Sequence, residues 1–182
     1  MKGSGRRVRP FFDEGGPMST LTIREIAAEI NDRAQDYEIG KFPQLRALLK
    51  GRTRLPNRIF TKKTIFDEYA FHHGGRSELQ YNIGFEDVQG KQFFRFGVAF
   101  SLELSMTLPS IDPLIPKIRR FNEFFRIHDT GYSDLRMWHY DANRRSTDYS
   151  PSAIPDELVH PGVFLFLGRM VDTKKVGLCT RI

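Results

Sequence analysis

The sequence predicts an α+β fold: a mostly antiparallel sheet with a long hairpin, N-terminal helices and one further helix covering a sheet face. Three observations carry this. Apolar residues recur with a helical period only before residue 50 and again near residues 112–126. Between them the period is two over more than twenty residues, too long a run for one strand. The order is then helices, hairpin, helix, strands, without the strand and crossover-helix alternation of a parallel sheet.

Residues 1–17, MKGSGRRVRPFFDEGGP, mix Gly, Pro and Arg without any period and read as a flexible leader, an expression remnant or an over-long start ahead of Met18. Residues 18–182 then form one α+β domain, truncated at its C-terminus if the parent is modular, because VDTKKVGLCTRI supplies no capped helix after the last strand. Thr22 and Glu25 make a capping box, Leu21 and Ile26 are placed for a hydrophobic staple, and Ile23, Ile26, Ala27, Ile30, Ala34 and Tyr37 share one helical face. Gly40 stops this helix. Pro43 opens a second, with Leu45, Leu48 and Leu49 as its apolar side, and Gly51 ends it. Two helices so tightly joined also fit a helix-turn-helix, a pattern shared with many helical pairs in enzymes.

Leu79, Tyr81, Ile83 and Phe85 alternate with Glu78, Gln80, Asn82 and Gly84 as a strand with one buried face. After a turn at residues 87–91, Phe94, Phe96, Val98, Phe100 and Leu102 alternate with Arg95, Gly97, Ala99, Ser101 and Glu103, closing the hairpin and leaving its second face polar and small. Asp112 as cap and Pro113 at the first position open the later helix, with Leu114, Ile118, Phe121 and Phe125 on one side. Leu135 to Tyr140 and Val163 to Met170 are two more strands, separated by a polar loop over residues 141–161.

Composition narrows the function. The chain has 182 residues, 40% apolar and 27% charged, enough for a sizeable core. A single cysteine, Cys179, excludes an internal disulfide and a Cys-based zinc cluster. No run approaches the roughly 18 apolar residues of a membrane span, and no secretory h-region is present, so the expected address is cytoplasmic. The net charge of +6 is uneven: residues 1–63 hold 14 basic and 7 acidic residues, and the remainder 14 and 15. Lys41, Arg46, Lys50, Arg52, Arg54, Arg58, Lys62 and Lys63 follow one another with no acid between. Such a run neutralises phosphates with a salt-dependent gain, or serves as a solvated face.

The densest polar cluster is FHHGGRSELQYNIGFED. Glycines there allow close backbone approach, Arg76 can grip a phosphate or a guanine edge, and Glu78, Gln80 and Asn82 alternate onto one strand face, a candidate surface for base or modification readout. The plainer reading is a turn followed by the wet side of a half-covered sheet. His72 and His73 are adjacent and point apart on an extended segment, so they do not suggest zinc. A magnesium-dependent nuclease would need an upstream acid and an acid-x-Lys pair; Asp67 and Glu78-x-Gln80 fit in part, with Gln80 in place of the lysine. Walker-type phosphate loop, Ser nucleophile elbow and dinucleotide fingerprint are all missing from the sequence. Arg136, Trp138 and Tyr140 alternate onto one face and could stack on an unpaired base, although a lone Trp is more commonly core. Arg144 and Arg145 in the next loop are candidates for phosphate contact or simply exposed.

The strings FDEYAFHHGGRSELQYNIGFED, FRFGVAFSLE and IPDELVHPGVFLFLG resemble the amino-terminal region of bacterial HNH-endonuclease and restriction-like proteins, over about residues 19–170. The resemblance implies a DNA-recognition module ahead of a separate nuclease domain, of the kind that restricts modified DNA. The HNH core, with its paired cysteines and His-Asn-His residues, is not in this sequence. The expectation is therefore a DNA-binding recognition module, non-catalytic by itself, with DNA and a separate nuclease domain or subunit as partners. Lys50, Arg52, Arg54, Arg58, Lys62 and Lys63 would contact phosphates, and Arg76, Glu78, Gln80 and Asn82 would read bases. No resident cofactor is expected, Mg2+ entering only with the nuclease alternative. The other alternative is a protein-interaction or immunity-type module whose aromatic-rich sheet meets another chain.

Overall fold

A computed structural model describes residues 21–51, 53, 58–128 and 132–173. The leader over residues 1–17, Arg52 and Arg54 lie outside the described residues. The capping box forms as its residues dictate: Thr22 Oγ1 accepts from the Glu25 amide at 3.2 Å and Glu25 Oε2 accepts from the Thr22 amide at 2.9 Å. That satisfies two orphan donors at the start of α1 (Ile23–Arg33), a cap worth about 1 kcal/mol.

α1 ends at Arg33, earlier than the Gly40 stop expected, and the chain continues through 3-10 turns at Ala34–Asp36 and Glu38–Lys41. Only glycine permits this fold-back, because a Cβ at Gly40 would sit 2.0 Å from the Ala34 carbonyl oxygen. Tyr37 is consequently exposed rather than on the buried face, while Ala34 stays buried. α2 (Phe42–Leu49) has Pro43 in its first turn, as its sequence requires. Its apolar side is the reverse of the expected one: Leu45, Leu48 and Leu49 are exposed, and Pro43 and Ala47 are buried. Phe42 determines the orientation by meeting His72 and Tyr81 edge-on at ring separations of 5.2 and 5.0 Å.

The fold is α+β: the described residues form three α-helices and a six-stranded antiparallel sheet in the order β1-β2-β3-β6-β4-β5. The strands are β1 (Tyr69–Phe71), β2 (Gln80–Val88), β3 (Lys91–Ser101), β4 (Arg136–Asp141), β5 (Arg144–Arg145) and β6 (Phe164–Asp172). The hairpin β2–β3 is the long one expected, paired from Gln80↔Ala99 to Val88↔Lys91 and turning at Gln89 and Gly90. β1 and β5 are too short to give a period, so only pairing reveals them. β6, the last of the described strands, inserts between β3 and β4.

Cross-strand partners share a face, so the register sorts the side chains. One face carries Tyr81, Ile83, Phe94, Val98, Phe100, Leu165, Leu167 and Met137. α1 covers part of it, with Ile23 and Ala27 fully buried in one cluster with Ile83 and Phe94. α3 (Ile115–Ile127) covers the rest, packing Ile118, Phe121 and Phe125 on Phe100, Leu165 and Leu167. Each fully buried Phe or Leu contributes about 1.5–3 kcal/mol, so these two clusters hold the helices to the sheet. α3 starts later than Asp112 and Pro113 would place it. Residues 111–114 close a separate turn, Leu114 N–H donating to Ile111 O at 2.8 Å, and Leu114 is the cap. Among the described residues no helix is long and apolar enough to cross a membrane.

Among the described residues no helix covers the opposite face. Its register row runs Phe71, Asn82, Gly97, Gly168 and Arg136, flanked by Tyr69, Arg95 and Met170 on one side and Gln80, Ala99, Phe166 and Trp138 on the other.

Candidate functional site

This face holds a cavity of about 580 Å3, whose lining includes Gln80, Asn82, Glu86, Arg95, Tyr140 and Phe164. Its floor is buried and polar: Gln80, Asn82, Glu86, Arg95 and Ser101 are all at most 9% exposed. Buried polar groups are tolerated where they find partners, and here Gln80, Asn82, Arg95 and Glu86 form one chain of contacts, while Ser101 meets Arg76 and Glu103. Asn82 Nδ2 donates to Gln80 Oε1 at 3.1 Å, and the Arg95 guanidinium donates to Asn82 Oδ1. Arg95 Nε lies 3.3 Å from Glu86, whose other oxygen accepts from Arg145, and Arg145 continues to Asp148 at 2.7 Å. Burial draws the Arg95 guanidinium below its ordinary pKa, with Glu86 beside it acting in the opposite sense.

Local sequence explains why the guanidinium can lie there. Gly84 stands opposite Arg95 across the hairpin, and a Cβ at Gly84 would come within 3.1 Å of Arg95 Nη2. The charge then rests over the rings of Phe166 and Phe164, 4.7 and 5.4 Å from their centroids. Tyr69, Phe71, Tyr140 and Phe164 supply aromatic lining; burial, then Glu86, raises the Tyr140 phenol above its ordinary pKa. The mouth is acidic, with exposed Asp67, Glu68, Asp87 and Glu103 on the lining. Arg76 lies beside Glu103, over the Phe71 ring at 5.4 Å and donating to Ser101 Oγ at 3.3 Å and Glu103 at 3.1 Å.

Of the residues singled out for base readout, Arg76, Gln80 and Asn82 come together here. Glu78 does not. It lies just before β2, where the strand alternation does not yet hold, and turns to α2. Arg46 grips its carboxylate with two hydrogen bonds of 2.7 and 2.9 Å, and Lys50 with one of 2.8 Å. His72 stands 3.5 Å away, its Nδ1 accepting from the Tyr81 amide at 3.0 Å. Burial opposes ionisation of Glu78, but these partners outweigh it and hold the carboxyl well below the ordinary range. Gly74, at φ +84°, makes the left-handed turn that offers its carbonyl to Arg46 at 3.1 Å. His72 is thus a buried structural histidine. Asp67 lines the cavity mouth while Glu78 is engaged elsewhere, and among the described residues no group of three His, Cys, Asp or Glu is placed to hold a metal ion.

The basic run divides in the same way. Lys50 is paired with Glu78, whereas Arg58, Lys62 and Lys63 are exposed. Their loop is firmly held. Asn31 of α1 clamps Phe60 through Nδ2 to the carbonyl at 2.9 Å and Oδ1 from the amide at 3.0 Å, with Ile59 and Phe60 buried. Thr64 O then accepts from the Phe71 amide at 3.1 Å, seating the loop beside β1. Arg145 is spent on Glu86, Asp148 and the Trp138 ring, 5.0 Å from its centroid, and Arg144 is exposed. Trp138 is fully buried and stacked on Phe166 at 4.4 Å, so it is core and Tyr140 alone of that strand lines the cavity.

Glu86 and Arg95 escape a reading of the sequence, whereas Tyr140 is within it as a candidate for stacking on a base. A charged residue opposite a glycine, on a strand face otherwise small and polar, is the one signal that points to Arg95. No protein-family model, curated protein or solved structure matches the chain.

Proposed function

We propose that this protein is a DNA-recognition module that receives one nucleobase in the sheet-face cavity and leaves cleavage to a separate nuclease domain or subunit. The observation that carries the reading is the cavity itself: buried amides and a guanidinium as its floor, aromatic rings in its lining, and a volume suited to a small planar ligand. A base taken out of the stack costs a few kcal/mol, which ring contacts and hydrogen bonds to its edge offset. The acidic mouth disfavours a phosphate inside and keeps the backbone at the rim. Arg58, Lys62 and Lys63, exposed on the loop that leads into β1, are the side chains assigned to the backbone phosphates. The resemblance to the recognition region of restriction-like proteins agrees with this reading. A nuclease built on Asp67, Glu78 and Mg2+ is the weaker alternative, because Arg46 and Lys50 already occupy the Glu78 oxygens.

The test is fluorescence anisotropy of labelled duplexes, plain and cytosine-methylated, across several salt concentrations, with a parallel magnesium lane checked for cleavage. Salt-steep binding without cleavage is expected. Joint reversal of Arg58, Lys62 and Lys63 to Glu should weaken binding and flatten the log–log salt slope by about 3, near one per lost phosphate contact. No binding at low salt, or a reversed variant that binds like the parent, refutes the reading; cleavage that vanishes in Glu78→Ala would restore the nuclease.

A further inference from the structure

The geometry points to a floor whose hydrogen-bond polarity is fixed, so that the cavity accepts a base edge carrying a carbonyl and rejects one carrying an exocyclic amino group in its place. This inference rests on the nucleobase reading above. A guanidinium can only donate, so Arg95 forces Asn82 to face it with Oδ1. Asn82 Nδ2 is thereby directed at Gln80, and Gln80 must meet it with Oε1, at 3.1 Å. Turning either amide over would set two donors against each other in a buried site.

The one polar atom of Gln80 left is Nε2. It has no hydrogen bond among the described residues, and Gln80 lines the cavity while itself only 2% exposed. Arg95 is held at the start of this relay by Glu86 and by the Phe164 and Phe166 rings. At the end of it, Gly75 backs so closely onto Gln80 that a Cβ there would lie 2.8 Å from Gln80 Cβ. The carboxylates on the lining are either exposed, as Asp67, Glu68, Asp87 and Glu103, or buried beside arginines, as Glu86, whose Oε1 accepts from Arg145 and whose buried Oε2 stands 3.3 Å from Arg95 Nε without a hydrogen bond. Gln80 Nε2 therefore presents N–H donors to whatever enters. A carbonyl such as uracil O4 or hypoxanthine O6 satisfies them; the amino group of cytosine or adenine at the same place sets donor against donor.

The experiment isolates one base. Labelled octadeoxynucleotides made of tetrahydrofuran abasic units carry a single central uracil, cytosine, hypoxanthine or adenine, with an all-abasic strand as control, and binding is read by anisotropy. The keto bases should bind about tenfold or more tighter than their amino counterparts, as expected for a buried donor left unpaired. Gln80→Glu should reverse the order, since its carboxylate keeps the Asn82 contact and turns an acceptor to the cavity. If that variant fails to fold, the comparison in the parent protein decides alone. Four bases bound equally, and tighter than the abasic strand, overturn this inference and leave the base cavity standing. Binding no tighter than the abasic strand overturns both, and an amino preference in the parent protein overturns the polarity argument outright.

Discussion

Replacing Glu78 by Gln tests whether the α2 anchor is an electrostatic joint or a set of solvated surface pairs. The carboxylate is 18% exposed and holds Arg46, itself 14% exposed, through two hydrogen bonds, with Lys50 on the same oxygen as one of them. Surface pairs contribute about 0–1 kcal/mol, and breaking a fully buried pair costs about 3–5 kcal/mol. This cluster lies between those limits, and Gln still offers Arg46 one acceptor. The expected loss is about 2–3 kcal/mol at pH 7, which for a chain of this size is a fall in Tm of about 4–12 °C. Urea denaturation followed by circular dichroism at pH 7 and at acid pH measures it. Because the folded-state pKa of Glu78 is lowered, its contribution is full above the ordinary value of 4.5 and disappears as pH falls toward the folded-state value. The gap between parent and variant should therefore close as the pH is taken down below 4.5. A loss under about 0.5 kcal/mol, or a gap that widens on acidification, would refute the idea that these cations hold the carboxylate ionised to anchor α2.

Trp138→Ala should cost about 3–5 kcal/mol, since it empties a fully buried site against Phe166; unchanged stability with weakened DNA binding would instead return the residue to base stacking. Gly84→Ala, whose added methyl comes within 3.1 Å of Arg95 Nη2 and 3.0 Å of the Glu68 carbonyl, should displace the guanidinium and weaken binding to the single-base strands more than it lowers Tm. Ala142 turns the β4–β5 hairpin at φ +46°, beside Asn143 at +63°, so Ala142→Gly should raise stability by about 0.5–1 kcal/mol in the same denaturation assay. A decrease there would mean that the alanine side chain contributes more than its backbone costs.

Period and capping residues, which act within a few positions of one another, determined α1's start, the β2–β3 hairpin, the apolar side of α3 and the α+β class. The polar, small second face of the hairpin was also legible, and with it Gln80 and Asn82 as candidates. Tertiary structure alone decided what those residues meet. Strand β6 comes from the end of the chain and enters between β3 and β4, which brings Phe164 and Phe166 under Arg95; no period records that insertion. Glu78 stands two residues ahead of β2, so its direction was decided by Arg46 and Lys50, both distant in sequence. The leucines of α2 carry a helical period that says they share a side, and Phe42 on His72 and Tyr81 decided that this side faces water. Local pattern specifies which residues share a face; which face is buried, and which charges neutralise each other, depends on pairings across the sheet.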